Sequence, residues 1–183
     1  MIKLLRTIRL DASDTFAFES AAEPGEWAVP GSFVFFGADV SALKGKQKIA
    51  FRSGFLGLDS LGWSTLAVVV SASLSERDAA VQKLAARLMT DHGAPDMATA
   101  LAAAQEELRF AESCAQHPEQ TLVVIHRRLD EAGDIHEQFR TVKAGLAFNK
   151  DSMSRVFTFH QVEGEEEPEE RLDLTTLAEA KTG

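Results

Sequence analysis

The sequence predicts an α+β fold: a mainly antiparallel β-sheet with a two-helix antiparallel hairpin packed on one face. Three observations predict it. Residues 66–70 (LAVVV) are a short run of apolar, mostly β-branched residues with neither side of the pleat polar, as a central strand covered on both faces requires. Two later segments repeat small and apolar residues at three- and four-residue steps, the spacing of amphipathic helices. Residues 122–129 and 135–141 then flank Asp130-Glu131-Ala132-Gly133, which suits a type I turn closed by a left-handed glycine.

In chain order, residues 3–10 (KLLRTIRL) alternate as a first strand. Residues 15–19 (TFAFE) place Phe16 and Phe18 on one face of a second. After the turn at Glu23-Pro24-Gly25, residues 26–29, 32–36 and 47–51 read as further short strands, so the N-terminal third is expected to be a β meander. The first helix starts at about Glu76, with Ser75 and Asp78 forming a shortened capping box. Its stripe is Val81, Leu84, Ala85 and Leu88, and His92-Gly93 with Pro95 stops it. The second helix is opened by Pro95, closed before Pro118, and striped by Met97, Leu101, Ala104, Leu108, Ala111 and Ala115. Alanine-rich faces let the two axes approach closely, and the short link over 91–94 favours an antiparallel pair. Residues 155–162 (RVFTFHQV) read as a last strand and 172–180 as a short terminal helix. Residues 1–162 are thus expected to form one domain, and 163–183 an acidic tail.

Charge narrows the partners. The formal net charge is −9, and the tract EGEEEPEE at 163–170 carries six glutamates and no base, so the rest of the chain is close to neutral. That balance argues against nonspecific nucleic-acid or anionic-membrane binding, both of which need basic patches. No apolar run approaches membrane-spanning length, and Cys114, the single cysteine, fits a reducing compartment; the expected location is cytoplasmic. Twelve phenylalanines and no tyrosine favour a dry core over a polar-tipped surface.

Most motif-like features reduce to structure. Gly54, Gly57 and Gly62 lead into a strand, not a helix, and no Gly-Lys-Ser/Thr follows, so a phosphate loop is excluded. Ser60 lacks the glycine a nucleophile elbow needs at position 58 and reads as a turn residue. Glu106, Glu107 and Glu112 with Arg109 read as a solvated helix face. Cys114 and His117 lie one helical turn apart, but a cysteine beside an apolar seam is usually inert packing. A zinc site from His126, His136 and His160 would need three strands to converge, and no metal or cofactor is expected.

One polar constellation remains. If Asp130 pairs with Asp134, Ile125 faces Phe139 and Val123 faces Thr141 on one side of the hairpin. The other side presents His126, Arg128, His136, Gln138 and Arg140. This is either a plain water-facing sheet surface or a receptor for an anion or carboxylate. In the second case Arg128 and Arg140 are the charged donors, and His126 and His136 the titratable partners.

The segments LLRTIRLD, AAEPGEWAVPG, HPEQTLVVIHRR and EQFRT resemble a family of uncharacterised alphaproteobacterial proteins carrying a domain of unknown function, over nearly the whole chain. The resemblance implies no catalytic residues. It implies an accessory role near molybdenum-dependent formate dehydrogenase and cofactor-ligase genes, an argument by association alone. The expected function is a cytoplasmic accessory protein, a binding or assembly module without catalysis. Its partner would be a protein or a small anionic molecule, with room for a homodimer. The alternative is a small-molecule enzyme using His126, Arg128, His136 and Arg140.

Overall fold

A computed structural model describes residues 1–142. Among the described residues seven strands form one antiparallel sheet in the order β4-β3-β2-β1-β5-β6-β7. The β-branched run lies in its middle: β5 (Leu66–Ala72) pairs along its whole length with β1 (Ile2–Ile8), from Ile2↔Ala72 to Ile8↔Leu66. On its other edge β5 meets β6 (Leu122–Leu129) at Ala67↔Val123 and Val68↔Leu122. The sheet is completed by β2 (Trp27–Val29), β3 (Phe55–Gly57), β4 (Trp63–Ser64) and β7 (Ile135–Val142).

The sheet curls. Phe55 on β3 and Phe139 on β7 have β2, β1, β5 and β6 between their strands, and a flat sheet at about 4.8 Å per strand would hold them roughly 24 Å apart. Their ring centroids are 6.4 Å apart. The inside of the curl is apolar, with Leu5, Phe55, Val69, Val123 and Ile125 buried beside Cys114.

Four α-helices complete the described residues: α1 (Ser13–Ala17), α2 (Gly45–Ser53), α3 (Leu74–Asp91) and α4 (Met97–Cys114). Val81, Leu84, Ala85 and Leu88 of α3 share one buried cluster with Ala104, Leu108 and Ala111 of α4 and Leu4 of β1. Arg77 in the first turn of α3 pairs with Glu112 in the last turn of α4. The cap of α3 lies two residues earlier than the sequence suggested. Ser73 Oγ accepts from Glu76 N (3.2 Å) and Glu76 Oε2 accepts from Ser73 N (2.9 Å), because glutamate reaches back across the turn where Asp78 is too short. In α4 the cap is Asp96, accepting from Thr99 N at 2.7 Å, and Met97 at its start is exposed, not part of the buried stripe.

The N-terminal third departs from the expected meander. Residues 15–19 fall in and after α1, and Phe16 (75 % exposed) and Phe18 (1 %) do not share a face. Buried Asp14 explains the turn of helix: its carboxylate accepts from Thr65 N (3.2 Å) and Thr65 Oγ1 (2.6 Å), pinning the segment against the end of β4. In place of the strand expected at 32–36, Ser32–Phe35 form a 3-10 turn after Gly31, whose φ of +78° breaks strand geometry. Residues 47–51 belong to α2, where Lys46, Gln47 and Lys48 are good helix formers. Strands do form over Ile2–Ile8 and Trp27–Val29, close to the expected 3–10 and 26–29. The expected strand at 155–162, the helix at 172–180 and the acidic tail lie outside the described residues.

Candidate functional site

The hairpin β6–β7 has the expected register, Val123↔Thr141, Ile125↔Phe139, His126↔Gln138 and Arg128↔His136. Gly133 at φ +87° closes the turn, and Asp130 N donates to the Asp134 carbonyl at 3.0 Å. Asp130 Oδ1 also accepts from Ala132 N (2.9 Å) and Asp134 N (2.8 Å), the bond from Asp134 being the main reason its pKa lies below the ordinary aspartate value. Its other oxygen takes His136 Nε2 at 2.7 Å, so His136 is engaged in fixing the turn.

Strand alternation places His126, Arg128, His136, Gln138 and Arg140 together on the outward side, and all five are exposed. Arg140 stands opposite Val124 and diagonal to His126, within the reach of long side chains across a strand pair. Helix α2 packs on β6 and brings a further base, exposed Arg52. The pKa of His126 is held below the ordinary histidine value by partial desolvation first, then by Arg52, Arg140 and Arg128. The ring is therefore mostly neutral at neutral pH, and the face takes its charge from the three guanidiniums. The arrangement is open: the five side chains lie exposed on one face, a surface suited to a carboxylate-bearing partner.

The inward side of the hairpin holds a residue that the sequence reading passed over. Arg127 shares the face of Val123 and Ile125 and is 1 % exposed. Its Nε donates to Glu137 Oε1 and Ser32 Oγ (both 2.8 Å), Nη1 to the carbonyls of Phe51 (3.0 Å) and Gly54 (2.8 Å), and Nη2 to the Pro30 carbonyl. Glu137 stands directly opposite Arg127 in the ladder. The guanidinium thus ties β6 to the loops around β2 and β3, several strand positions away, and fastens the curl. Burial draws its pKa down and Glu137 opposes that shift. The sequence signal was available: Arg127 and Glu137 fall in phase with the apolar positions of their strands, where an ionised pair must be satisfied by the fold.

Glu107 corrects another expectation, since it is not part of a solvated face. Its carboxylate accepts from Gly31 N at 2.8 Å beside the Arg127–Glu137 pair, and burial raises its pKa. Other candidates are structural. Ser60 Oγ accepts from Gly62 N (3.0 Å) within a turn whose Asp59 and Ser60 amides donate to buried Glu26 Oε2 at 2.8 and 2.9 Å. A Cβ on Gly57 would lie 2.5 Å from that oxygen, so the glycine makes room for the carboxylate. Cys114 is buried, and burial pushes its thiol up to about 12, which leaves no thiolate at neutral pH. Among the described residues no group of three or more His, Cys, Asp or Glu is placed to hold a metal ion, and His160 lies outside them. A groove of about 660 Å³ between residues 35–41 and the hairpin turn is lined by Phe36, Val40, Leu129 and Ile135 with Asp39 and Asp134, and by no base. No helix among the described residues is long and apolar enough to cross a membrane.

A family of unknown function, DUF6505, matches residues 1–161 of the chain. No curated protein and no solved structure matches.

Proposed function

The chain belongs to DUF6505, a family of unknown function, so its role has to be argued from its surface, and we propose a non-catalytic accessory module whose hairpin receives an acidic segment of a partner protein. The observation that carries this reading is the outward face of β6–β7. Arg128 and Arg140 are exposed around His126, Arg52 of α2 joins them, and this basic patch sits on a chain of formal net charge −9. A reaction needs a covered site where fixed donors gain strength by excluding water, whereas an open basic face suits docking and electrostatic steering. Arg127, Glu26 and Asp14 are already bonded to the chain itself, which fits them for holding the fold. The setting proposed is the cytoplasm of alphaproteobacteria, beside a redox enzyme or cofactor pathway.

The test is a titration of the full chain with an octaglutamate peptide at several salt concentrations, alongside inorganic tripolyphosphate. Removing two exposed cations by Arg128→Gln and Arg140→Gln should weaken peptide binding roughly tenfold, at about 0.2–1 kcal/mol for each exposed contact, with stability unchanged. Equal peptide affinity in the double variant would refute the reading. Selective binding of tripolyphosphate would replace the protein partner by a small anion.

A further inference from the structure

We propose that the acidic tract of this same chain, residues 163–170, docks on the basic hairpin face and competes there with outside anions. This rests on the reading of that face as an anion receptor and adds its regulation.

The argument is charge complementarity and reach. The tract carries six glutamates in eight residues with no base among them, the densest charge in the sequence. Arg128 and Arg140 of the hairpin and Arg52 of α2 surround His126 on exposed positions. From the Val124–Arg140 pair to the Arg128–His136 pair the face runs four residues, about 14 Å at strand spacing. Among the described residues strand β7 reaches Val142, two residues beyond Arg140, and the tract begins at Glu163. The intervening residues 143–162 span up to about 70 Å when extended, several times what is needed to lay the tract along the face. Because tract and face belong to one chain, their contact is intramolecular, which favours weak ion pairs over the same groups free in solution. Both partners being exposed, the contact is screened by salt. An outside ligand must then displace six tethered carboxylates, so isolated anions are rejected while a partner with a longer acidic surface is admitted.

The experiment compares the full wild-type chain with a full-length variant in which the tract is neutralised (E163Q/E165Q/E166Q/E167Q/E169Q/E170Q). Affinity for octaglutamate is measured at 50 mM and 500 mM salt, and amide NMR positions are recorded for residues 126–128 and 138–140. Neutralising the tract should raise affinity about tenfold at low salt, bring the two proteins together at high salt, and move the hairpin amides without any peptide present. Identical hairpin amides and identical affinity would overturn tract docking, and if both proteins bind the peptide the partner reading survives alone. Hairpin amides that differ while neither protein binds octaglutamate would keep the tract contact and sink the partner reading. Amide positions that change on dilution of the wild type would place the tract on a second copy and overturn docking within one chain.

Discussion

Arg127 offers the sharpest energetic prediction. Truncation to Ala removes a buried guanidinium that serves the carbonyls of Pro30, Phe51 and Gly54 as well as Ser32 and Glu137. Breaking a buried ion pair from one side costs about 3–5 kcal/mol, a large share of the roughly 5–15 kcal/mol that holds a typical domain together. The partition of that cost is itself testable. An apolar pair at both positions, Arg127→Met with Glu137→Met, relieves the orphaned carboxylate, and for a simple buried ion pair this is often neutral. Here three carbonyls stay without donors at about 1–3 kcal/mol each when fully desolvated, so the double variant should remain destabilised by at least about 2 kcal/mol. Arg127→Lys keeps the charge but reaches fewer acceptors, and should fall between wild type and Ala while remaining folded. The assay is urea denaturation followed by the fluorescence of Trp27 and Trp63, Trp63 being stacked on Phe35 at 5.3 Å. An Arg127→Ala loss under 1 kcal/mol, or full recovery in the double Met variant, would refute the idea that Arg127 fastens the curl through backbone carbonyls.

Two further outcomes follow from buried titratable groups. Glu107 has a folded pKa raised above its ordinary 4.5 by burial, so its contribution is fully present below that value and is lost as pH rises through the folded pKa. Glu107→Gln keeps the acceptor for Gly31 N and should abolish that decline, which pH-dependent urea midpoints of the two proteins from pH 4 upward would show; parallel curves would contradict it. Cys114, with its thiol at about 12, should react with iodoacetamide in the native protein far more slowly than in urea, and rapid native alkylation near pH 7 would contradict its burial.

The parts of this chain that were legible in sequence are those where local pattern and tertiary demand coincide. The run at 66–70, the stripe Val81, Leu84, Ala85 and Leu88, and the register of 122–141 each follow from periodicity or turn chemistry that the fold leaves undisturbed. That residues 15–19, 32–36 and 47–51 are not strands was not legible, because five-residue windows cannot separate period 2 from period 3.6. Phe35 and Phe36 satisfy a strand alternation, yet the segment turns at Gly31 and surrenders the Pro30 carbonyl and Ser32 hydroxyl to Arg127, ninety or more residues away. Glu107 was hidden for the same reason: a glutamate among glutamates looks solvated until Gly31, from a distant loop, meets it. The outward face of the hairpin was readable because alternation alone assigns it. The burial of Arg127 was readable only by asking why a charge sits in phase with Val123 and Ile125.

Adjacent Arg127 and Arg128 differ in burial: Arg127 is held inside the fold, and exposed Arg128 is the one proposed to meet a partner. Arginine-selective labelling with phenylglyoxal, read by mass spectrometry, separates the two on the folded full-length chain with the six glutamates of residues 163–170 replaced by glutamine, so that the tract does not itself shield the face. Arg127 should stay unmodified, and Arg52, Arg128 and Arg140 should react and be protected when octaglutamate is added at low salt. Protection absent from all three exposed arginines while the peptide is bound elsewhere would remove the hairpin as the docking face, and ready modification of Arg127 in the folded protein would show that it does not hold the fold.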